Sequence, residues 1–443
     1  MFALNRTKGP ATSSAKTRTP LFKETSAMTP RPGRQFPARA SLAITRETAI
    51  RFLLEAQDLD GRPSAGAADR AGPAAVLRQL RLLECVQIDP VAAVERNQHL
   101  VLAARLPGYR PALLETLLGR GLVFEYMANA ACVIPIDDYP IFEGTRGRYR
   151  KRYALDLRKL RGVVRRIVAD LETRGPQTAR AFTSDHRVRG WWDTEAAKTK
   201  ATSHVLNLML RTGAITVAKR VGLERWFDLT ERVMPAAALQ AARGITPRDA
   251  DDALLEKYLR AYRLFDAEDS RFGWRAMGAA ARRAAVLRRV RAGDIVPVTI
   301  EGIRRRYYVR AADVGALKRH GRRSAAGPLD DAVVRFLPPL DNLLWRRERV
   351  ADLFGFTYTW EVYLPAAKRR YGYYTMPILY GSRLIGRMDP FLDRERGYLE
   401  IRRLALEPAV QSTRPLRRSL DAALEAFAQF HGARGLRVHA ERP

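Results

Sequence analysis

The sequence is poor in cysteine, in histidine and in long apolar runs, and each shortage argues against a class of protein. Its 443 residues include two cysteines, Cys85 and Cys132, and six histidines. This argues against a disulfide framework or a cysteine-rich zinc site and fits a reducing compartment. No HExxH motif and no glycine-rich phosphate loop after a strand occurs, so we expect neither a metal nor a cofactor. No apolar run approaches the ~20 residues of a membrane span, so no membrane partner is expected.

Acidic residues are few relative to basic ones. Lys and Arg number 78 against 47 Asp and Glu, which gives a formal net charge of +31 at pH 7. Guanidinium groups suit bidentate phosphate contacts, and a basic chain of this size attracts polyanions. Nucleic acid is therefore the expected partner. The alternatives are a membrane surface, another polyanion, or an arginine-rich composition that reflects a GC-rich genome.

An internal repeat relates residues 211–229 to residues 291–309. In each copy a glycine ends a helical pattern, a short strand follows, and a second glycine turns the chain into a returning strand. Helical patterns at residues 200–210 and 275–290 precede the two hairpins. A helix pair followed by a two-stranded wing is typical of a winged helix-turn-helix. Two unrelated helix–hairpin units are the alternative.

The length and patterning predict an α+β protein of several domains. A more divergent third copy of the winged helix is expected near the start, and the end of the chain resembles successive strands closed by a helix. The predicted segments are a disordered basic arm at 1–40 (or a misassigned start), winged helices at 41–150, 151–235 and 236–325, and a β-rich, barrel-like domain with a closing helix at 326–443.

Two short polar side chains, Gln87 and Asp89, follow an apolar stretch and precede Pro90. Alternation along an extended backbone places Gln87 and Asp89 on one side and Ile88 on the other. An amide and a carboxylate are then aimed at one point. The alternative is a turn or helix-start signal at Asp89-Pro90, with Gln87 as a surface residue.

This segment resembles a motif of the bacterial winged-helix DNA glycosylases of the AlkZ/YcaQ type. That family carries Gln-apolar-Gln or Gln-apolar-Asp, and this chain is similar to the second branch. The resemblance extends from about residue 42 to residue 432. It includes Val94-Glu95-Arg96 with His99, Phe124-Glu-Tyr126 with Ala130-Ala131 and Pro135, Trp191-Trp192 with Leu210-Arg-Thr-Gly213, and C-terminal strings beginning at Phe336, Leu353 and Glu361. Met127 and Asn129 depart from the pattern, which usually has an aromatic residue and a histidine there.

The resemblance implies a monofunctional glycosylase that hydrolyses the N-glycosidic bond of alkylated purines and unhooks interstrand crosslinks. A purine alkylated at N7 or N3 is cationic and leaves readily, so the enzyme must stabilise an oxocarbenium-like sugar and direct water at C1′. Asp89 is the candidate to accept the proton of the water, and Gln87 the candidate to orient it. A Schiff-base lyase step is not expected, because no lysine lies near the motif in the sequence.

Further site residues follow from the resemblance and from the basic hairpins. Candidates to support the catalytic pair are Glu95, Arg96, His99 and Asn129, although Glu95 with Arg96 also fits a solvated ion pair and His99 a structural role. Predicted DNA-binding residues are Lys219, Arg220, Arg225, Arg304, Arg305, Arg306, Lys368, Arg369, Tyr371 and Tyr373. The alternative for the wing residues is a solvated surface without DNA contact. The alternative for the C-terminal residues is a tyrosine-rich interior.

The expected partner is double-stranded DNA with alkylated bases or crosslinks, bound by a cytoplasmic, nucleoid-associated monomer. Two other functions fit the charge and the repeats. One is a non-catalytic winged-helix DNA-binding protein or transcriptional regulator. The other is a glycosylase-like protein that has lost activity or acts on an unusual adduct.

Overall fold

The computed structural model describes residues 41–61, 71–190, 193, 196–324 and 333–439. The predicted basic arm at 1–40 and the Trp191-Trp192 pair lie outside the described residues. No described helix is long and apolar enough to cross a membrane.

The strands are β1 (Leu42–Ile44), β2 (Val86–Gln87), β3 (Val123–Met127), β4 (Ala131–Pro135), β5 (Gln177–Thr178), β6 (Arg187–Val188), β7 (Thr199–Lys200), β8 (Ile215–Val221), β9 (Glu224–Leu229), β10 (Leu264–Phe265), β11 (Ile295–Ile300), β12 (Tyr307–Arg310), β13 (Val334–Phe336), β14 (Met376–Tyr380), β15 (Arg383–Asp393), β16 (Tyr398–Leu406) and β17 (Gly435–Val438). The helices are α1 (Arg46–Ala56), α2 (Pro73–Leu83), α3 (Asn97–Ala103), α4 (Pro111–Gly119), α5 (Glu143–Lys159), α6 (Arg161–Arg174), α7 (Ala201–Thr212), α8 (Thr230–Val233), α9 (Ala236–Gly244), α10 (Pro247–Tyr262), α11 (Ala279–Ala292), α12 (Val314–Ser324), α13 (Arg347–Phe354) and α14 (Arg414–Phe430).

The repeat forms two helix–hairpin units, α7 with β8 and β9, and α11 with β11 and β12. Each helix ends at a glycine in the left-handed region, Gly213 with φ 78° and Gly293 with φ 85°. Glycine adopts this conformation at little cost, which is why its spacing marks the repeat. The mixed α+β class is confirmed, whereas the number of winged-helix domains stays a prediction.

A three-stranded sheet of order β2-β4-β3 carries the motif. β2 lies at its edge, with Val86 opposite Val133 and Gln87 opposite Cys132. The tight turn between β3 and β4 holds Asn129, because Met127 pairs with Ala131 across it. The end of β2 therefore lies beside this turn.

The start of the described chain packs against the second helix–hairpin unit. β1 pairs in parallel with β11, Leu42 opposite Val298, and α1 packs on α12 and α13 within one apolar core. The pairing of β1 with β11 and of α1 with α12 joins the segments predicted as the first and third winged helices, at 41–150 and 236–325. The boundaries of these segments stay predictions.

The C-terminal strands form a sheet of order β13-β14-β15-β16-β17 that curls into a half-barrel. Its pairs are antiparallel except β16 with β17. Thr413 caps the start of α14, because its hydroxyl accepts from the Leu416 amide. The helix buries Leu416, Leu420 and Leu424 in the core of this sheet. The predicted β-rich unit and its closing helix are present.

Candidate functional site

The C-terminal loop before α13 supports the motif strand. Asn342 Nδ2 donates to the carbonyl oxygens of Leu83 (3.2 Å) and Cys85 (2.8 Å). Its neighbour Asp341 accepts two hydrogen bonds from Arg105, at 2.7 and 2.9 Å, and neither side chain is exposed. A buried pair of this geometry fixes the two segments relative to each other.

The backbone of Gln87 is held from the same loop. Asn97 Nδ2 donates to the Gln87 carbonyl oxygen at 2.8 Å, and Asn97 Oδ1 accepts from the Leu340 amide at 3.1 Å. Asn97 thus uses both ends of its amide to join the motif to the C-terminal unit.

The side chain of Gln87 has one defined amide orientation. Asn129 Oδ1 lies 3.3 Å from Arg271 Nη1 and 3.1 Å from the Tyr262 hydroxyl. Because arginine only donates, Asn129 must present its oxygen to Arg271 and its Nδ2 to Gln87. Asn129 Nδ2 then donates to Gln87 Oε1 at 3.0 Å. The Nε2 group of Gln87 is left to donate elsewhere.

Asp89 lies just beyond the end of β2 and is 6% exposed. Its Oδ1 accepts from the Val91 amide at 2.8 Å, and burial raises the pKa of the carboxyl. β2 ends at Gln87, so the extended backbone expected for residues 87–89 does not reach Asp89. The physical reason is the turn that the Asp89 side chain makes with Val91, which ends the extended backbone.

The cavity beside Asp89 has a volume of about 470 Å³. It lies between the motif segment, the β3–β4 hairpin and the unit formed by α7, β8 and β9. The charged residues in its wall are Asp89, Arg96, Glu125, Arg211, Arg220 and Arg225.

His99 lies in the interior between Arg96 and Tyr109. It is fully buried, its Nε2 lies 3.0 Å from Arg96 Nη2, and its Nδ1 lies 2.8 Å from the Tyr109 hydroxyl. Burial, with the nearby charge of Arg96, lowers the pKa of His99 to about 3, so the ring is neutral at pH 7. Glu95 lies 3.8 Å from Arg96 Nε, which is a loose ion pair.

A tyrosine-rich loop at residues 371–374 is fixed by two carboxylates. Glu361 accepts from the backbone amides of Tyr371 (2.8 Å) and Gly372 (3.1 Å). Asp389 accepts from the backbone amides of Tyr373 (3.1 Å) and Tyr374 (2.7 Å). Gly372 has φ +126°, and a Cβ there would lie 2.1 Å from Asp389 Oδ2. The C-terminal motif string therefore encodes this one loop conformation.

Tyr363 and Tyr374 of the tyrosine-rich region are close enough to Asp89 for its charge to act on them. Burial and, next, the negative charge of Asp89 raise the pKa of Tyr363 and of Tyr374. Tyr363 is nevertheless 52% exposed. Asp89 thus lines the arginine-rich cavity and also acts on an exposed tyrosine.

Lys257 reaches the motif from α10, which the sequence spacing did not indicate. Its fully buried Nζ donates to the Glu84 carbonyl oxygen (2.6 Å), to Glu84 Oε2 (2.9 Å) and to Asp138 Oδ2 (2.7 Å). Although burial opposes it, the charges of Glu84 and Asp138 raise the pKa of Lys257. No lysine is near the motif in the sequence, but the fold brings Lys257 close to it. This lysine is charged and enclosed, so it is unsuited to attack a sugar.

The predicted DNA-binding residues differ in their surroundings. Arg220 makes a two-bond ion pair with Glu125, and Arg305 binds Asp352 at 2.9 Å and also contacts Glu268. Three others are partly buried. Arg225 lies in the cavity wall, Arg369 packs against the ring of Tyr373, and the ring of Tyr371 lies beneath Arg387. The exposed ones are Lys219, Arg304, Arg306, Lys368 and Tyr373. Their contact with DNA stays a prediction.

No group of three or more His, Cys, Asp or Glu side chains that could hold a metal ion occurs among the described residues.

Comparison with known proteins identifies the class of this fold and site. The profile of the AlkZ-like DNA glycosylase family matches residues 80–430. The structure is similar to the Streptomyces sahachiroi DNA glycosylase AlkZ, with a TM-score of 0.55 and 16% identity over 90% of this chain and 100% of that one. At that identity the likeness concerns the fold alone. The chain belongs to the AlkZ-like DNA glycosylase family and is a DNA glycosylase, which disfavours the non-catalytic regulator.

Proposed function

We propose that the protein is a monofunctional glycosylase that hydrolyses the N-glycosidic bond of cationic N7- or N3-alkylated purines in duplex DNA. The observation that carries this proposal is a buried carboxylate, Asp89, two residues along the chain from an amide, Gln87, whose orientation is fixed. Family membership supplies the reaction class, and the arrangement of these two side chains supports the mechanism.

Water attack at C1′ needs one group to accept a proton and one to hold the water oxygen. Asp89 Oδ1 is occupied by the Val91 amide, and no described residue donates to Oδ2, which is the proposed proton acceptor. The raised pKa of Asp89 makes it a stronger base than an ordinary aspartate. Gln87 Nε2 donates to the water oxygen, because its Oε1 is already bound to Asn129.

The carboxylate also stabilises the transition state. As the cationic base departs, positive charge moves onto the sugar, and a negative group in a water-poor position attracts that charge strongly. Because the alkylated base is already cationic, it leaves without being protonated, and no general acid is assigned here.

The state of Lys257 supports the monofunctional assignment. A lyase needs a neutral, accessible amine to form a Schiff base with C1′. Lys257 is charged and enclosed by Glu84 and Asp138. Hydrolysis therefore leaves an abasic site in an intact strand.

Crosslinked bases are proposed as further substrates. A base bonded to both strands cannot be flipped fully into a closed pocket, so its enzyme needs an open cleft. Gln87 is partly exposed, and Tyr363 and Tyr373 beside the site are exposed. Release of monoadducts without unhooking of a crosslinked duplex would remove this part of the proposal.

The product distinguishes hydrolysis from a lyase step. A methylated, end-labelled duplex is incubated with the protein, and free N7-methylguanine and strand length are both measured. The proposal expects base release with strands that break only after alkali or heat. Strand breaks without that treatment, or no base release, would contradict it.

A further inference from the structure

The wall of the cavity beside Asp89 carries an excess of positive charge. It contains four guanidinium groups and two carboxylates, those of Asp89 and Glu125. Glu125 is occupied by Arg220, whose Nη2 lies 2.8 Å from Oε2. Asp89 is the second carboxylate, so guanidinium groups outnumber carboxylates among the described residues of the cavity wall, which keeps a net positive charge.

Arg96 and Arg225 show this most clearly. Arg96 is 5% exposed, and its backbone amide donates to Glu95 Oε1 at 2.7 Å. Its guanidinium group approaches the same oxygen only to 3.8 Å, and Nη1 has no hydrogen-bond partner among the described residues. Its neighbour His99 is neutral and adds no negative charge. For Arg225, no carboxylate of a described residue lies within 4.0 Å, and burial lowers its pKa. Buried guanidinium groups with spare donors gain from a bound anion.

We propose that this cavity binds a backbone phosphate of the DNA strand next to the damaged nucleotide, with Arg96 and Arg225 as its ligands. The assignment rests on the proposed function, which places the sugar at Asp89. Asp89 lines the same cavity as the two arginines, so a sugar at its carboxylate has its phosphate within the cavity. The volume of about 470 Å³ exceeds what one phosphodiester group needs.

The sign of the charge argues against the damaged base as the occupant. An N7-alkylated purine is cationic, and guanidinium groups repel it. Tyr363 and Tyr374 are also close enough to Asp89 for its charge to act on them, and aromatic faces attract cations. The cavity thus takes the phosphate, and the base lies toward the tyrosines.

Neutral phosphate analogues test the contact directly. Duplexes carry one methylphosphonate, either 5′ or 3′ of an alkylated guanine, and base release and binding are measured for wild type and Arg225→Met. Neutralising the bound phosphate should weaken duplex binding and slow base release by wild type about tenfold, as the loss of a charged hydrogen bond does. The same change should have no further effect in Arg225→Met. Equal losses in both proteins, or no loss in wild type at either position, would overturn the proposal.

Two further variants control for folding and for general charge. Arg96→Lys keeps a cation and guards against the misfolding that Arg96→Met risks. It should lose the bidentate contact and show a smaller methylphosphonate effect than wild type. Arg418→Met removes an exposed charge on α14, which lines no part of the cavity, and should keep the full wild-type effect. Loss of that effect in Arg418→Met would also overturn the assignment.

Binding separates this proposal from the proposed function. Duplexes with an abasic analogue at the lesion position report the phosphate contact without any chemistry. Coupling between Arg225 and one methylphosphonate in binding, together with no release of alkylated base, would refute the proposed function alone. Base release without coupling would refute the phosphate site alone.

Discussion

Asn129 Nδ2 lies 3.0 Å from Gln87 Oε1, and this contact decides which end of the Gln87 amide remains free. The direction is set by Arg271, which can only donate to Asn129 Oδ1. Asn129, one of the two residues that depart from the family pattern, therefore positions the proposed catalytic amide. Asn129 does so while sharing its oxygen with Tyr262.

Asn129→Asp should reverse the Gln87 amide. An aspartate at this position offers an acceptor to Gln87, which then turns its Nε2 inward and presents Oε1 to the water. We expect kcat to fall about tenfold, the value of one lost hydrogen bond in the transition state, with little change in KM. Steady-state release of N7-methylguanine measures both constants.

Tyr262→Phe is the matched control for that change. The ring still packs, and Arg271 alone still fixes Asn129, so we expect a loss of less than about threefold. An Asn129→Asp variant with wild-type kcat, or a Tyr262→Phe variant that loses as much, would contradict the amide assignment.

The buried pair between Arg105 and Asp341 should contribute strongly to stability. Asp341→Ala leaves a buried guanidinium without its carboxylate, which costs about 3–5 kcal/mol in the free energy of unfolding. Asp137→Ala removes a pair with Arg81 that is largely exposed on both sides and should cost less than about 1 kcal/mol. Denaturant midpoints compare the two, and equal shifts would show that burial of the first pair is irrelevant.

The pH dependence of the rate should reflect Asp89. Its pKa is raised by burial, and only the carboxylate form accepts a proton. The rate of base release should therefore be highest at neutral pH. It should fall as the pH decreases through the pKa of Asp89, which lies above the ~3.9 of an ordinary aspartate. Single-turnover rates between pH 4 and 8 provide the measurement. A rate that stays constant down to about pH 4 would exclude Asp89 as the base.

Tyr363 should contribute to recognition of a cationic base. Tyr363→Leu removes the aromatic face and should raise KM for methylated duplex about fivefold, whereas Tyr363→Phe should stay near wild type. The comparison is most informative when a neutral lesion is assayed in parallel, because only the cationic one should respond. Equal KM values for the Leu and Phe variants would rule out this role.

The parts of the fold that sequence patterns could predict are those with local causes. The two helix–hairpin units followed from glycines that must adopt positive φ, Gly213 and Gly293. The strands β14 to β16 and the closing helix α14 followed from alternation and helical periodicity. In each case the residues that specify an element lie within it.

The rest depends on contacts between distant segments. The parallel pairing of β1 with β11 has no local signal, and neither has the contact of Lys257 with Glu84 across 173 residues. The alternation that placed Gln87 and Asp89 together overlooked the turn between Asp89 and Val91. The motif residues could thus be proposed from the resemblance, whereas Asn97, Arg271 and Asn342, which position them, could not.

The central claim is that Asp89 takes part in bond cleavage. The most direct test is single-turnover release of N7-methylguanine from methylated duplex by wild type and Asp89→Asn, with binding of the same duplex measured alongside. We expect release by wild type and a loss of about 100-fold or more in the variant, with binding unchanged. Release by Asp89→Asn at the wild-type rate would contradict it.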